Sequence, residues 1–183
     1  QNLTGAAYLY ISGEVNGTGN VSAPGIGFSQ NFTTTVGQIT TITLPTTVFL
    51  TSSTTIQNNG IHITSNQDVT VYGMNLRAFT TDAYLGLPTD ALGLEYLAMS
   101  YTGSSSQIGM VATENATSVS FKLKVTTGIY LAGTNYTITL NQGQTFFLQT
   151  SGDLTGSVVT SNKPIAVFSG NQCTNVPSNV GAC

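Results

Sequence analysis

Apolar and polar side chains alternate with a period of two through most of this chain, and that period leaves the β-strand as its main regular structure. Thr137-Ile138-Thr139-Leu140 alternates, and so does Ser118-Val119-Ser120-Phe121-Lys122-Leu123-Lys124-Val125. Ile61-His62-Ile63-Thr64 and Val69-Thr70-Val71-Tyr72 do the same in the first half. Each run sends its apolar residues to one face and its polar residues to the other. Thirty-one threonines reinforce the preference, because a β-branched side chain packs well on a pleated surface. Asn16-Gly17, Asn59-Gly60, Asn141-Gln142-Gly143 and Ser151-Gly152-Asp153 punctuate the runs with residues suited to hairpin turns. Helical periodicity is nearly absent. Short strands at this spacing predict an all-β chain of sandwich or jelly-roll type.

Composition then excludes several functions. Only 6% of the 183 residues are charged, so hydroxyls and amides must build the polar surface. Four cations cannot form a phosphate-reading surface, which excludes nucleic acid as a partner. Disorder usually combines high charge with low hydrophobicity, and here 40% of the residues are hydrophobic. The longest apolar runs, such as Ala6–Ile11, are strand-sized, and no membrane insertion is expected. A single His and no Trp leave little material for general acid–base chemistry. No signal peptide is visible and the sequence starts at Gln1, as a processed N-terminus or a fragment would.

The chain also repeats itself. Gly60–Asn75 aligns with Gly156–Asn171 at a constant offset, so that Thr64-Ser65-Asn66 falls on Thr160-Ser161-Asn162 and Val71 on Val167. A turn matched between two matched strands is stronger evidence than alternation alone. Thr41–Leu44 falls on Thr137–Leu140 at the same offset, and Glu14–Thr18 resembles Glu114–Thr117 once a gap is allowed. The expectation is two tandem antiparallel β-sandwich modules, jelly-roll-like and related by internal duplication, over residues 1–75 and 76–183. Between their matched parts, strands Ala83–Leu87 and Glu95–Tyr101 are predicted to flank a Pro88 loop. That loop has room for one helical turn at Thr89–Leu92. Both strands count toward the second module on this reading. The first is then either a shorter sandwich or one lacking strands, closed by a strand from elsewhere.

A family resemblance rests on Thr64-Ser65-Asn66 and Val69-Thr70-Val71-Tyr72-Gly73 and on further residues. These are Thr81–Pro88, Leu92-Gly93-Leu94-Glu95-Tyr96 with Ser100-Tyr101, Val111–Thr117 and Gly143–Gln149. The most specific stretch is Asp153-Leu154-Thr155-Gly156-Ser157 followed by Ser161–Asn171 and Cys173 through Cys183. In these residues the chain resembles the N-terminal domain family named after the IgG Fc-binding protein, best over residues 61–183. The resemblance implies a secreted or cell-surface, non-enzymatic, β-rich domain of the kind found in large multidomain chains. It carries no antibody-binding motif residue by residue.

Asn2, Asn16, Asn20, Asn31, Asn115 and Asn135 each open an Asn-x-Ser/Thr acceptor sequence for N-glycosylation. Fifteen asparagines among so many hydroxyls give about four such sequences by accident, so the enrichment is mild. Asn16, Asn20 and Asn115 fall at predicted turns. Thr33–Thr35 and Thr51–Thr55 are either O-glycan clusters or plain Thr-rich strand. Cys173 and Cys183 form an even count, consistent with a disulfide either to each other or between chains. His62, with Asp68 near it in sequence, offers no metal or triad motif. Asp82, Asp90 and Glu95 suggest a glycosidase-like carboxylate pair but fall in the family's strand–loop–strand segment, so they are assigned to structure. Asp90 and Asp153 lack a calcium-loop spacing. No catalytic, cofactor or metal site is therefore expected. The expected function is a secreted glycoprotein subunit of an extracellular matrix or fibre, self-associating by strand exchange. The alternative is an adhesive module for a glycan or glycoprotein ligand.

Overall fold

The computed structural model describes residues 5–77, 81–102, 105–175, 177 and 179–181. In chain order the strands begin with β1 (Ala6–Ser12), β2 (Gly17–Ala23), β3 (Phe28–Thr34), β4 (Thr40–Leu44) and β5 (Ile56–Gln57). Then come β6 (His62–Ser65), β7 (Thr70–Leu76), β8 (Thr81–Gly86), β9 (Glu95–Leu97) and β10 (Ser106–Ala112). The last are β11 (Thr117–Lys122), β12 (Asn135–Leu140), β13 (Thr145–Thr150), β14 (Val158–Ser161) and β15 (Ile165–Asn171). Every pairing is antiparallel. The all-β expectation holds, and the described helical content is three single 3₁₀ turns, at Pro24–Ile26, Thr46–Val48 and Thr89–Ala91.

The chain divides into two compact units. Unit 1 comprises Gln1–Thr51 and Asn58–Pro88, and unit 2 comprises Ser52–Gln57 and Thr89–Cys183. This division differs from the expected 1–75 and 76–183 in two ways. Strand β8 belongs to unit 1, because its residues pair with β7 from Val71↔Gly86 to Leu76↔Thr81. The short β5 belongs to unit 2, where Phe146 pairs with Ile56 and Thr145 with Gln57. The strand–loop–strand expectation holds in outline, with one 3₁₀ turn between two strands, but β8 starts earlier, at Thr81, and β9 stops at Leu97 rather than Tyr101. The segment is shared between the units rather than owned by the second.

In unit 1 one sheet has the order β4-β1-β7-β8 and the other β3-β2-β6. Ala7, Leu9 and Ile11 of β1 and Ile42 and Leu44 of β4 meet Val21 of β2 and Phe32 of β3 in one core. The alternate residues of these strands face outward, as the period of two requires. In unit 2 the orders are β15-β10-β13-β5 and β12-β11-β14-β9. Ile108, Met110, Phe146, Leu148 and Ile165 of the first sheet pack on Val119, Phe121, Leu140 and Val159 of the second. The Phe121 ring lies within 5.0–6.0 Å of the rings of Tyr130, Tyr136 and Phe146.

The two units share one strand order. β4-β1-β7 answers to β13-β10-β15, and β3-β2-β6 answers to β12-β11-β14. The registers give the residue equivalences: Ile63 pairs with Val21 as Val159 pairs with Phe121, and Val71 with Ile11 as Val167 with Met110. One expected match fails. Thr41–Leu44 lies in β4, whose counterpart is β13, whereas Thr137–Leu140 lies in β12, the counterpart of β3. Thr-Ile-Thr-Leu fits any half-buried strand, so its recurrence said little about position. The offset changes between β4 and β6 because the connection there carries the extra segment given to unit 2.

Candidate functional site

The β2–β3 hairpin turns through Pro24–Ile26 and closes on Gly27, whose φ of 70° a glycine adopts without steric cost. Its register sets Thr18 opposite Thr33 and Asn20 opposite Asn31, and β6 adds Thr64 beside Asn20. These side chains alternate with the buried Val21, Phe32 and Thr34 and so point outward. Together with Thr40 of β4 they line a shallow groove of about 850 Å³, beside the largely buried Phe32 and Ile42. Among the described residues no charged side chain lines it. The Asn20 Nδ2 donates to Asn31 Oδ1 at 2.7 Å and to Ser29 Oγ at 3.1 Å, and the Thr40 hydroxyl donates to the Thr33 carbonyl at 2.6 Å. Hydroxyls and amides both donate and accept, so such a surface suits a neutral, hydroxyl-rich or amide-rich ligand better than an ion. Sequence reasoning missed Thr18, Thr33, Thr40 and Thr64 as a group. Alternation marks Thr18, Thr33 and Thr64 as outward and Thr40 as in phase with the buried Ile42 and Leu44, so only the fold brings the four together.

The glycan acceptors fall into distinct settings. Asn16 is exposed in the β1–β2 turn, where its Oδ1 accepts the Val36 N–H at 3.0 Å. Asn115 holds the corresponding turn of unit 2, its Oδ1 accepting the Gln142 N–H at 3.1 Å. In both, the carbonyl end of the amide is used and the nitrogen end, where a glycan would attach, is not committed to that bond. Asn20 was expected at a turn but lies within β2, its nitrogen engaged as described. Asn31 is exposed in β3 and Asn135 is exposed at the start of β12. Cys173 is exposed just beyond β15. Asn2 and Cys183 lie outside the described residues.

The carboxylates belong to different units. Asp82 lies on β8 of unit 1 opposite Asn75, whereas Asp90 and Glu95 lie in unit 2, on the 3₁₀ turn and on β9. His62 is exposed at the start of β6. Among the described residues no group of three or more His, Cys, Asp or Glu is placed to hold a metal ion. No helix is long and apolar enough to cross a membrane.

Asp153 has a structural partner set instead. Its Oδ1 accepts the Ser100 hydroxyl and the Thr155 N–H, each at 2.9 Å. The buried Ser106 hydroxyl is 2.8 Å from the Ser100 hydroxyl, and the Leu154 N–H reaches both serines. Thr155 closes the ring, its hydroxyl accepting the Ser100 N–H at 3.0 Å and donating to the Ser100 carbonyl at 2.8 Å. Hydrogen bonds from Thr155, and then from Ser100, hold the Asp153 carboxyl below the usual aspartate value. The Asp-Leu-Thr-Gly-Ser stretch is thus a latch between the 98–101 segment and the β13–β14 turn.

The family model described as IgGFc binding protein matches residues 82–183, which include the Asp153 latch. The human IgGFc-binding protein is 33% identical over 126 residues, covering 64% of this chain and 2% of that protein. The chain therefore spans only a small part of that relative. No solved structure matches the chain. Matched by the family model over more than half of its length, the chain belongs to the IgGFc-binding protein family.

Proposed function

We propose that this chain is a non-catalytic extracellular module that binds a glycan or glycoprotein ligand in the uncharged groove of unit 1. The observation that carries this is the groove's lining: hydroxyls and amides, with no charged residue among the described residues to select an ion. Family membership supports it, since the human relative is named for binding IgG Fc. The test is titration of the full chain against a glycan panel and against IgG Fc with and without its sugar. Thr33→Val with Thr64→Val should abolish binding if the groove carries it. Unchanged binding by that variant refutes the assignment.

The six acceptor asparagines are proposed as glycosylation sites with one condition. A sugar on Asn20 or Asn31 would occupy the groove, so ligand binding requires those two bare. Glycopeptide mapping of native material separates the cases, and sugar on Asn31 argues against binding there. A Cys173–Cys183 bridge is proposed too, with an interchain bridge as its rival. Intact mass under reducing and non-reducing conditions distinguishes them.

The matching strand order supports reading the two units as copies of one repeat. The rival function, a self-associating subunit of a matrix or fibre, is favoured by one observation: among the described residues β6 ends its sheet. Sedimentation and electron microscopy of native material test it, and a monodisperse monomer refutes it.

A further inference from the structure

Unit 2 shows what its counterpart of β6 does with its outer edge. Strand β14 takes β9 antiparallel, with Val158↔Leu97, Val159↔Tyr96 and Thr160↔Glu95. The Ser161 N–H donates to the Leu94 carbonyl at 2.8 Å, and the Ala98 N–H donates to the Ser157 carbonyl at 2.9 Å. The Tyr96 hydroxyl locks the strand: it accepts the Gly93 N–H and donates to the Ile165 carbonyl, both at 2.7 Å.

β6 has the same setting on its inner side. It lies against β2 as β14 lies against β11, and the turn after each is clasped identically. The Asn66 N–H donates to the Thr18 carbonyl at 3.0 Å, and the Thr18 N–H donates to Asn66 Oδ1 at 2.8 Å. Asn162 and Ser118 repeat both bonds at 3.1 and 2.7 Å. In an antiparallel ladder the residues whose backbone faces the partner alternate with those facing away. Because Asn66 bonds toward β2, Ile63 and Ser65 turn their N–H and C=O outward, as Val159 and Ser161 do toward β9. Yet among the described residues β6 is the last strand of its sheet. Val69 stands where Ile165 stands, so its carbonyl occupies the place that receives the Tyr96 hydroxyl in unit 2.

We propose that the outer edge of β6 is an acceptor for a strand with the chemistry of β9, supplied by a further unit of this kind. The strand binds antiparallel with its Leu, Tyr and Glu opposite His62, Ile63 and Thr64, and its Tyr hydroxyl donates to the Val69 carbonyl. Main-chain bonds hold such a strand, and the tyrosine fixes its register. The acceptor edge sharpens the assembly alternative above, and rests on it only for the source of the strand.

The experiment uses the full chain and a version in which residues 93–105 are placed directly ahead of Ala7, reproducing their spacing before Ser106. Amide exchange is read residue by residue. The tethered strand should slow exchange at Ile63 and Ser65 by about tenfold or more. Tyr→Phe at the tether's counterpart of Tyr96 should remove much of that protection. With His62→Cys, a cysteine at the tether's counterpart of Leu97 should form a disulfide, and one at its counterpart of Glu95 should not. Unchanged exchange at Ile63 and Ser65, protection on β3 or β4 instead, or equal protection by a scrambled tether overturns the proposal. A chain that accepts the tether but is monomeric without it refutes assembly and leaves the acceptor edge standing.

Discussion

The two units have the same strand order and fill it differently. In unit 1, Gly19 of β2 pairs with Phe32 of β3, and a Cβ built on Gly19 runs into that ring and into the Thr64 carbonyl. At the equivalent place in unit 2, Val119 of β11 pairs with Ile138 of β12. One unit achieves its volume with nothing plus a ring, the other with two branched aliphatics. Unit 2 also gathers three aromatic rings around Phe121 and covers the outer sides of β13 and β14 with β5 and β9. Unit 1 has the smaller buried cluster and covers the outer side of β7 with β8. Strand order is thus set by the alternation and the turns, while core chemistry and edge cover vary around it.

The largest effect should come from the aromatic cluster. Phe121→Ala should destabilise unit 2 by about 3–5 kcal/mol, read by denaturant unfolding. Amide exchange in the unit 1 core should change far less. If both units lose protection equally, they are not separate cooperative bodies. Next is the exchange of core solutions. Val119→Gly should cost about 2–4 kcal/mol from the void and the added backbone entropy. Adding Ile138→Phe should recover part of that, because a ring then covers the glycine as in unit 1. If the double variant is no better than the single, the two cores are not equivalent.

Asp153 tests a feature of the family-matched segment. Folding lowers its carboxyl, so its contribution to stability is full above the ordinary aspartate range and is lost as pH falls through the lower folded value. Asp153→Asn should therefore flatten the loss of stability below about pH 4, followed by thermal melting across pH. An unaltered acid limb would show that the latch does not depend on the charge. The smallest effect belongs to the turn clasps. Asn66→Ala and Asn162→Ala should each cost about 1 kcal/mol, the first in unit 1 and the second in unit 2. Markedly unequal losses would break the correspondence between the turns.

Much of this was legible in the sequence. Alternation located most strands, and Thr-Ser-Asn at a fixed offset marked the two clasped turns before any register was known. The Pro88 segment was read as two strands about a single turn. What it hid was ownership. β8 and β9 follow each other along the chain, and only pairing shows that one closes unit 1 and the other opens unit 2. β5 is two residues within a run of Ser and Thr, too short to show a period. β13 lacks alternation because Thr145 through Leu148 are all buried. Part of that cover is the 52–57 segment: the Thr54 N–H donates to the Phe147 carbonyl at 2.7 Å, and the Gln149 N–H to the Ser53 hydroxyl at 3.0 Å. The groove was hidden for the same reason, since its threonines are distant in sequence and only register makes them neighbours.

The donated segment also imposes an order on synthesis. A ribosome delivers β1 to β8 first, so unit 1 can close while Ser52–Gln57 still has no strand to join. That segment must wait while about ninety further residues, through Thr150, are made. At about 5–20 residues per second the wait lasts several seconds, far longer than hairpin closure. For that interval a Thr-rich, uncharged stretch hangs from a finished unit, open to chaperones, glycosyltransferases and proteases alike.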